Sequence, residues 1–127
     1  MTHRLLSSLV IICVVMGACS SRATEESAIR RGDVAFAQRD YEEALAEYRL
    51  AVRQGAADPS ITGRVAHTYA MMGRVDDAGA YYLETSSKED SFADQAVSDL
   101  MRLALDAKGN NDRFAMATAV EIALRLR

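Results

Sequence analysis

From Glu25 onward apolar residues return every three or four positions, broken by turn or polar stretches at Gln38–Asp40, Gln54–Asp58, Gly73, Ser86–Asp90 and Gly109–Asp112. A period near 3.6 marks amphipathic helix, so the pattern predicts six helices and no strand. The first runs from a cap at Thr24 to about Gln38, with Ala28, Ile29, Gly32, Ala35 and Phe36 on its apolar face. Asp40 and Glu43 form a capping box for the second, which ends near Gln54, where Gly55 suits a left-handed turn. Asp58-Pro59 is a start signal for the third, Ser60 to Met72, with Ile61, Val65, Tyr69 and Met72 inward. Gly73 opens a tight turn into the fourth, Val75 to Ser86, which turns Ala78, Tyr81, Tyr82 and Thr85 inward. Ser91 is placed to cap the fifth, through about Lys108, with Phe92, Ala96, Leu100, Leu103 and Ala107 on one side. The sixth, Phe114 to Leu126, has two apolar faces: Phe114, Ala117, Val120 and Leu124 on one, Met116, Ala119, Ile122, Ala123 and Leu126 on the other.

The helices repeat in pairs. Tyr41, Ala44 and Tyr48 return as Val75, Ala78 and Tyr82 at one constant offset, and Gly32 and Ala35 return as Ala66 and Tyr69 at the same offset. A period of this size signals stacked units, none of which can bury its apolar face alone. Small residues suit the crossing point of each pair, and Tyr48 and Tyr82 fill the wider space one turn beyond Ala44 and Ala78.

This spacing resembles the tetratricopeptide repeat. The family's run of small residue, apolar residue, Ala, aromatic and Ala falls on Gly32, Ala35, Ala44, Tyr48 and Ala51, then on Ala66, Tyr69, Ala78, Tyr82 and Thr85. Ala28, Arg31 and Thr85 depart from it. The resemblance implies an all-α fold, a right-handed superhelix of antiparallel helix pairs, with repeats over 25–58 and 59–92. Residues 93–127 form a degenerate third repeat or capping hairpin, which recovers the pattern if about five residues are inserted.

The start of the chain has another character. His3 and Arg4 make a weakly basic head, Leu5 to Met16 is apolar apart from Ser7 and Ser8, and Gly17-Ala18 are small, as before a signal cleavage point. The apolar run is shorter than the ~20 residues a membrane-spanning helix needs. Met16-Gly17-Ala18-Cys19 resembles the lipobox of bacterial lipoproteins, which implies removal of residues 1–18 and acylation of Cys19, with 19–24 as a short tether. Ser20 in place of Asp implies the outer membrane. Anchoring by several acyl chains outlasts anchoring by one.

Cleavage there leaves positions 19–127, enough for one domain, and removes one positive charge, Arg4, so the net charge goes from −3 to −4. No basic excess is available to neutralise phosphates, and nucleic acid is not an expected partner. Cys13 leaves with the signal and Cys19 is the lipid site, so no thiol remains for a disulfide or metal. His67 is the one remaining histidine; no strand-to-helix serine elbow or glycine-rich phosphate loop accompanies it, and adjacent carboxylates such as Asp76-Asp77 and Glu42-Glu43 point about 100° apart on a helix. Neither catalysis, a metal nor a cofactor is expected.

A binding surface is the stronger expectation. In the family, the first helix of each pair lines a groove; carried onto this chain, that implies Asp33, Phe36 and Ala37 from the first repeat and His67, Ala70 and Met71 from the second. No Lys and Arg cluster is present there to clamp a terminal carboxylate. Met116, Ile122 and Leu126 are a candidate docking face on the last helix, toward a partner or another copy. Together these lead us to expect an envelope lipoprotein, outer-membrane-anchored and facing the periplasm, that binds a protein or peptide segment and resembles assembly factors of pili or secretion systems. The alternative is a structural lipoprotein that self-associates through its C-terminal helix.

Overall fold

The computed structural model describes residues 24–56 and 58–127; the proposed signal and Cys19 lie outside them. The described residues form an all-α stack of six helices: α1 (24–37), α2 (Tyr41–Arg53), α3 (Pro59–Met71), α4 (Val75–Lys88), α5 (Ala93–Gly109) and α6 (Arg113–Arg125). α3 packs along α4 and α5 along α6, while α2 meets α3 and α4 meets both α5 and α6, so each pair rests on the next. Among the described residues no helix is long and apolar enough to cross a membrane.

The turn inside each pair is built the same way three times. Arg39, Gly73 and Asn111 each take a left-handed backbone, with φ of 63°, 75° and 59°. The next residue's N–H then bonds back across the helix end: Asp40 to the Ala35 carbonyl, Arg74 to Tyr69 and Asp112 to Ala107, at 2.9, 3.0 and 2.9 Å. This is the Schellman closure, which satisfies carbonyls that a helix end leaves open. Asp40 and Asp112 also cap the following helix, accepting from the N–H of Glu43 and Ala115; Asp58 does the same for α3 through Ser60. Arg74 cannot accept, and α4 starts with no side-chain cap.

These turns fix the register. The step from Gly73 to Asn111 is longer than the step from Arg39 to Gly73 by one helical turn, four positions rather than about five. Part of the connection is a 3-10 turn, Asp90–Phe92, that precedes α5. Ser91 lies in that turn and donates to Glu89 at 2.7 Å, so the cap assigned to it is not made. Thr24 is the first described residue of α1.

One core runs through all three pairs. Ala44, Tyr48, Val65, Ala66, Tyr69, Ala78, Tyr82, Leu100, Leu103, Ala119 and Ile122 are among its members. A smaller cluster, Ala28, Ala51 and Ile61, closes the first pair onto the second. The small residues work by permitting approach: a Cβ on Gly32 would stand 2.6 Å from the Tyr48 ring. Arg31 makes a bidentate pair with Glu47 on α2, both contacts 2.7 Å.

The last helix is turned differently from expectation. Met116 and Leu126 pack against the core and Ile122 is buried within it, so the face assigned to docking is the inward face. The outward face is the other one, with Phe114 and Leu124 exposed at 77% and 68%. Two apolar stripes on one helix look alike in sequence, and only packing against α4 and α5 decides between them.

Candidate functional site

The first helices of the three pairs, α1, α3 and α5, are joined side by side by a line of polar side chains. Asp33 on α1 takes an ion pair from Arg64 on α3 and a hydrogen bond from the Tyr48 hydroxyl at 2.7 Å. Phe36, one turn further on α1, lies against His67 on α3 with ring centroids 5.2 Å apart, and against Tyr41 at 5.3 Å. His67 Nδ1 is 2.7 Å from Oδ2 of Asp99 on α5. Arg102, the next turn of α5, donates to the Ala70 carbonyl at 3.1 Å and lies 3.7 Å from Met71 Sδ.

Asp33, Phe36, Tyr48, Arg64 and His67 together enclose a depression of about 130 Å³. Its lining combines three rings with a carboxylate and a guanidinium. That volume suits a single side chain of a partner, not a cofactor.

Asp99 is the most constrained ionisable group. Burial alone would raise its pKa, but hydrogen bonds from His67, Tyr82 and Gln95 outweigh that and hold the carboxyl below its ordinary value. Tyr82 moves the opposite way, far up, because it is buried and donates to that carboxylate. Tyr48 is pushed up to about 12, first by burial and then by its bond to Asp33. Both phenols are therefore donors at any physiological pH.

The candidate residues separate on this geometry. Asp33, Phe36 and His67 converge at the depression, while Ala37 and Met71 are exposed beside it. Ala70 is fully buried and offers the groove its carbonyl rather than its side chain, because it sits on the core side of α3. Tyr48, Arg64, Asp99 and Arg102 were missed. Arg64 had a signal, since it stands one turn before His67 on the same face; Asp99 had none without the register of the third pair.

A histidine oriented by a buried carboxylate is also half of a proton relay. Among the described residues His67 has one hydrogen-bond partner, Asp99, and no hydroxyl is poised on its ring. Nor do the described residues hold a group of three or more His, Cys, Asp or Glu that could bind a metal. No known family model matches this chain, and no curated protein is similar to it in sequence.

Proposed function

We propose that this chain is a tetratricopeptide-like lipoprotein of the bacterial envelope, fixed to the membrane through Cys19, that holds a segment of another protein on the face made by α1, α3 and α5. The observation that carries this reading is the convergence of Asp33, Phe36, Tyr48, Arg64 and His67 around one side-chain-sized depression. Three features support it. The helix pairs stack with a shared turn geometry, the face joins polar selection to aromatic walls, and Ala37 and Met71 stand beside it in reach of a partner. Aromatic and arginine side chains at such a centre are the usual anchors of protein interfaces. In this reading His67 and Asp99 set the shape of the face and do no chemistry. Non-enzymatic binding, in the manner of assembly factors for pili or secretion systems, is the class proposed.

The test uses the full chain in detergent-solubilised envelopes. Ala37→Glu and Met71→Glu, both at exposed positions, are expected to abolish capture of the partner while Glu84→Lys, on α4, leaves it intact. Equal recovery by all variants would reject the groove. Incorporation of a radiolabelled fatty acid checks the anchor separately: Cys19→Ala should lose the label, and undiminished labelling would rule out that site.

A further inference from the structure

Helices joined by short turns alternate in direction, so the start of α1 shares one end of the stack with the end of α2, the start of α3 and the end of α4. Ala28, Ala51 and Ile61 meet toward that end in one cluster. The proposed tether leaves from the same end: Cys19 stands five positions before Thr24, a span of at most ~17 Å. Among α2, α3 and α4 lies a cleft of about 330 Å³. Arg49 and Arg53 line it from the last two turns of α2, Thr62 from the first turn of α3, and Tyr81 and Glu84 from α4, Glu84 one turn before that helix ends. It shares no lining residue with the depression between α1 and α3.

The polar groups of this cleft are short of acceptors. Among the described residues Arg31, Arg64, Arg74 and Arg102 each pair with a carboxylate, whereas Arg49 and Arg53, four positions apart on one face of α2, pair with none. Thr68 and Thr85 donate to carbonyls of their own helices at 2.7 and 2.8 Å, but the Thr62 hydroxyl has no such partner. Nor has the hydroxyl of Tyr81, whose ring is fixed by stacking on Tyr69 with centroids 5.5 Å apart. Glu84 is the one carboxylate of the lining, and Lys88 holds it at 2.6 Å. Two guanidinium groups and two hydroxyls around one space match the oxygens of a phosphate group. The volume exceeds that of a bare phosphate and leaves room for a glycerol ester, against which Val52, 43% exposed, offers an apolar contact.

We propose that the cleft of Arg49, Arg53, Thr62 and Tyr81 takes the headgroup phosphate of an anionic phospholipid, in the leaflet that holds the acyl chains of Cys19. The occupant is a lipid because the tether's short reach keeps this end of the stack at a phosphate-bearing surface; that choice rests on the anchor reading above. Acyl chains hold the domain at the bilayer without setting which way it faces. A chain of net charge −4 turns to an anionic surface only through its basic groups, and Glu25 and Glu26 in the first turn of α1 oppose such an approach from their own side. Arg49 and Arg53 therefore set the orientation: the side of α2 and α4 meets the headgroups, and the face of α1, α3 and α5 is left for the partner.

Nuclear magnetic resonance of the arginine Nε–Hε groups tests this, with the full chain in nonionic detergent micelles. Titration with dihexanoylphosphatidylglycerol is expected to shift the signals of Arg49 and Arg53 saturably, with dihexanoylphosphatidylcholine and inorganic phosphate each binding about tenfold more weakly or worse. Arg49→Glu and Arg53→Glu should each weaken binding of the phosphatidylglycerol by about tenfold or more. Glu84→Lys, which removes the carboxylate of the cleft, should tighten it, a gain that loss of folding does not produce. Arg125→Glu, at an exposed position on α6 outside the cleft, should leave it unchanged. No saturable shift, equal affinity for the phosphatidylcholine or for inorganic phosphate, or binding indifferent to both Arg49→Glu and Arg53→Glu would each overturn the proposal. The anchor is read separately: loss of the fatty-acid label in Cys19→Ala together with silent Arg49 and Arg53 signals would keep the anchor and reject the headgroup site.

Discussion

At Asp99 a single carboxylate ties three helices together: it accepts from Tyr82 on α4, pairs with His67 on α3 and is held by Gln95 on its own helix. Its lowered pKa makes this arrangement pH-dependent. Because the folded value lies below the unfolded one, the unfolded chain takes up the proton first as pH falls. The stabilisation is complete above the ordinary aspartate pKa of ~3.9 and is lost as pH drops through the folded value. Asp99→Asn should therefore flatten the acid limb of a stability-against-pH curve, and should cost about 1–3 kcal/mol at neutral pH in urea titration, because a charged acceptor of three hydrogen bonds becomes a neutral amide with one acceptor oxygen. At Gly32 the limit is space: Gly32→Ala should destabilise by about 1–3 kcal/mol because the Tyr48 ring must shift. Gly32, Ala44, Tyr48 and Tyr82 were legible as core in the sequence since a fixed interval set them apart. The role of Asp99 was not, because a buried aspartate and a surface aspartate are written with the same letter.

The helix pairs owe their shape to three turns with one conformation and three different residues at its centre. Gly73 meets the left-handed backbone at no steric cost and Asn111 is one of the few other residue types that adopts it readily, whereas Arg39 holds it against the usual preference. Arg39→Gly should accordingly gain stability and Gly73→Ala should lose about 1 kcal/mol, both measured as shifts in thermal midpoint. Asp112→Ala should cost about 1 kcal/mol through loss of the cap to Ala115. The boundaries of α2, α3 and α4 followed from Asp40, Gly55, Asp58, Pro59 and Gly73, whose chemistry is local. The third pair was harder to place. One extra helical turn moves every residue past it out of the frame that the first two pairs share, and Arg113 and Met116 of α6 then stand where Tyr41 and Ala44 stood in α2. The two stripes of α6 were visible, but which one faces inward depends on α4 and α5, not on α6 alone.

Across the whole molecule the second helices carry much of the core and the first helices carry a connected polar face. Those two sides answer different needs: Ala44, Tyr48, Ala78 and Tyr82 fix the stack, while Asp33, Phe36, Arg64 and His67 remain at a surface that the stack holds in place. The proposed function stands or falls on whether this face, and not the side formed by α2 and α4, is where the protein meets its partner. A photo-reactive amino acid placed in living cells at Met71 and, in a separate strain, at Glu84 distinguishes the two sides. Irradiation is expected to give a discrete adduct with an envelope protein from Met71 and none from Glu84; adducts of that protein from Glu84 with none from Met71 would refute the groove.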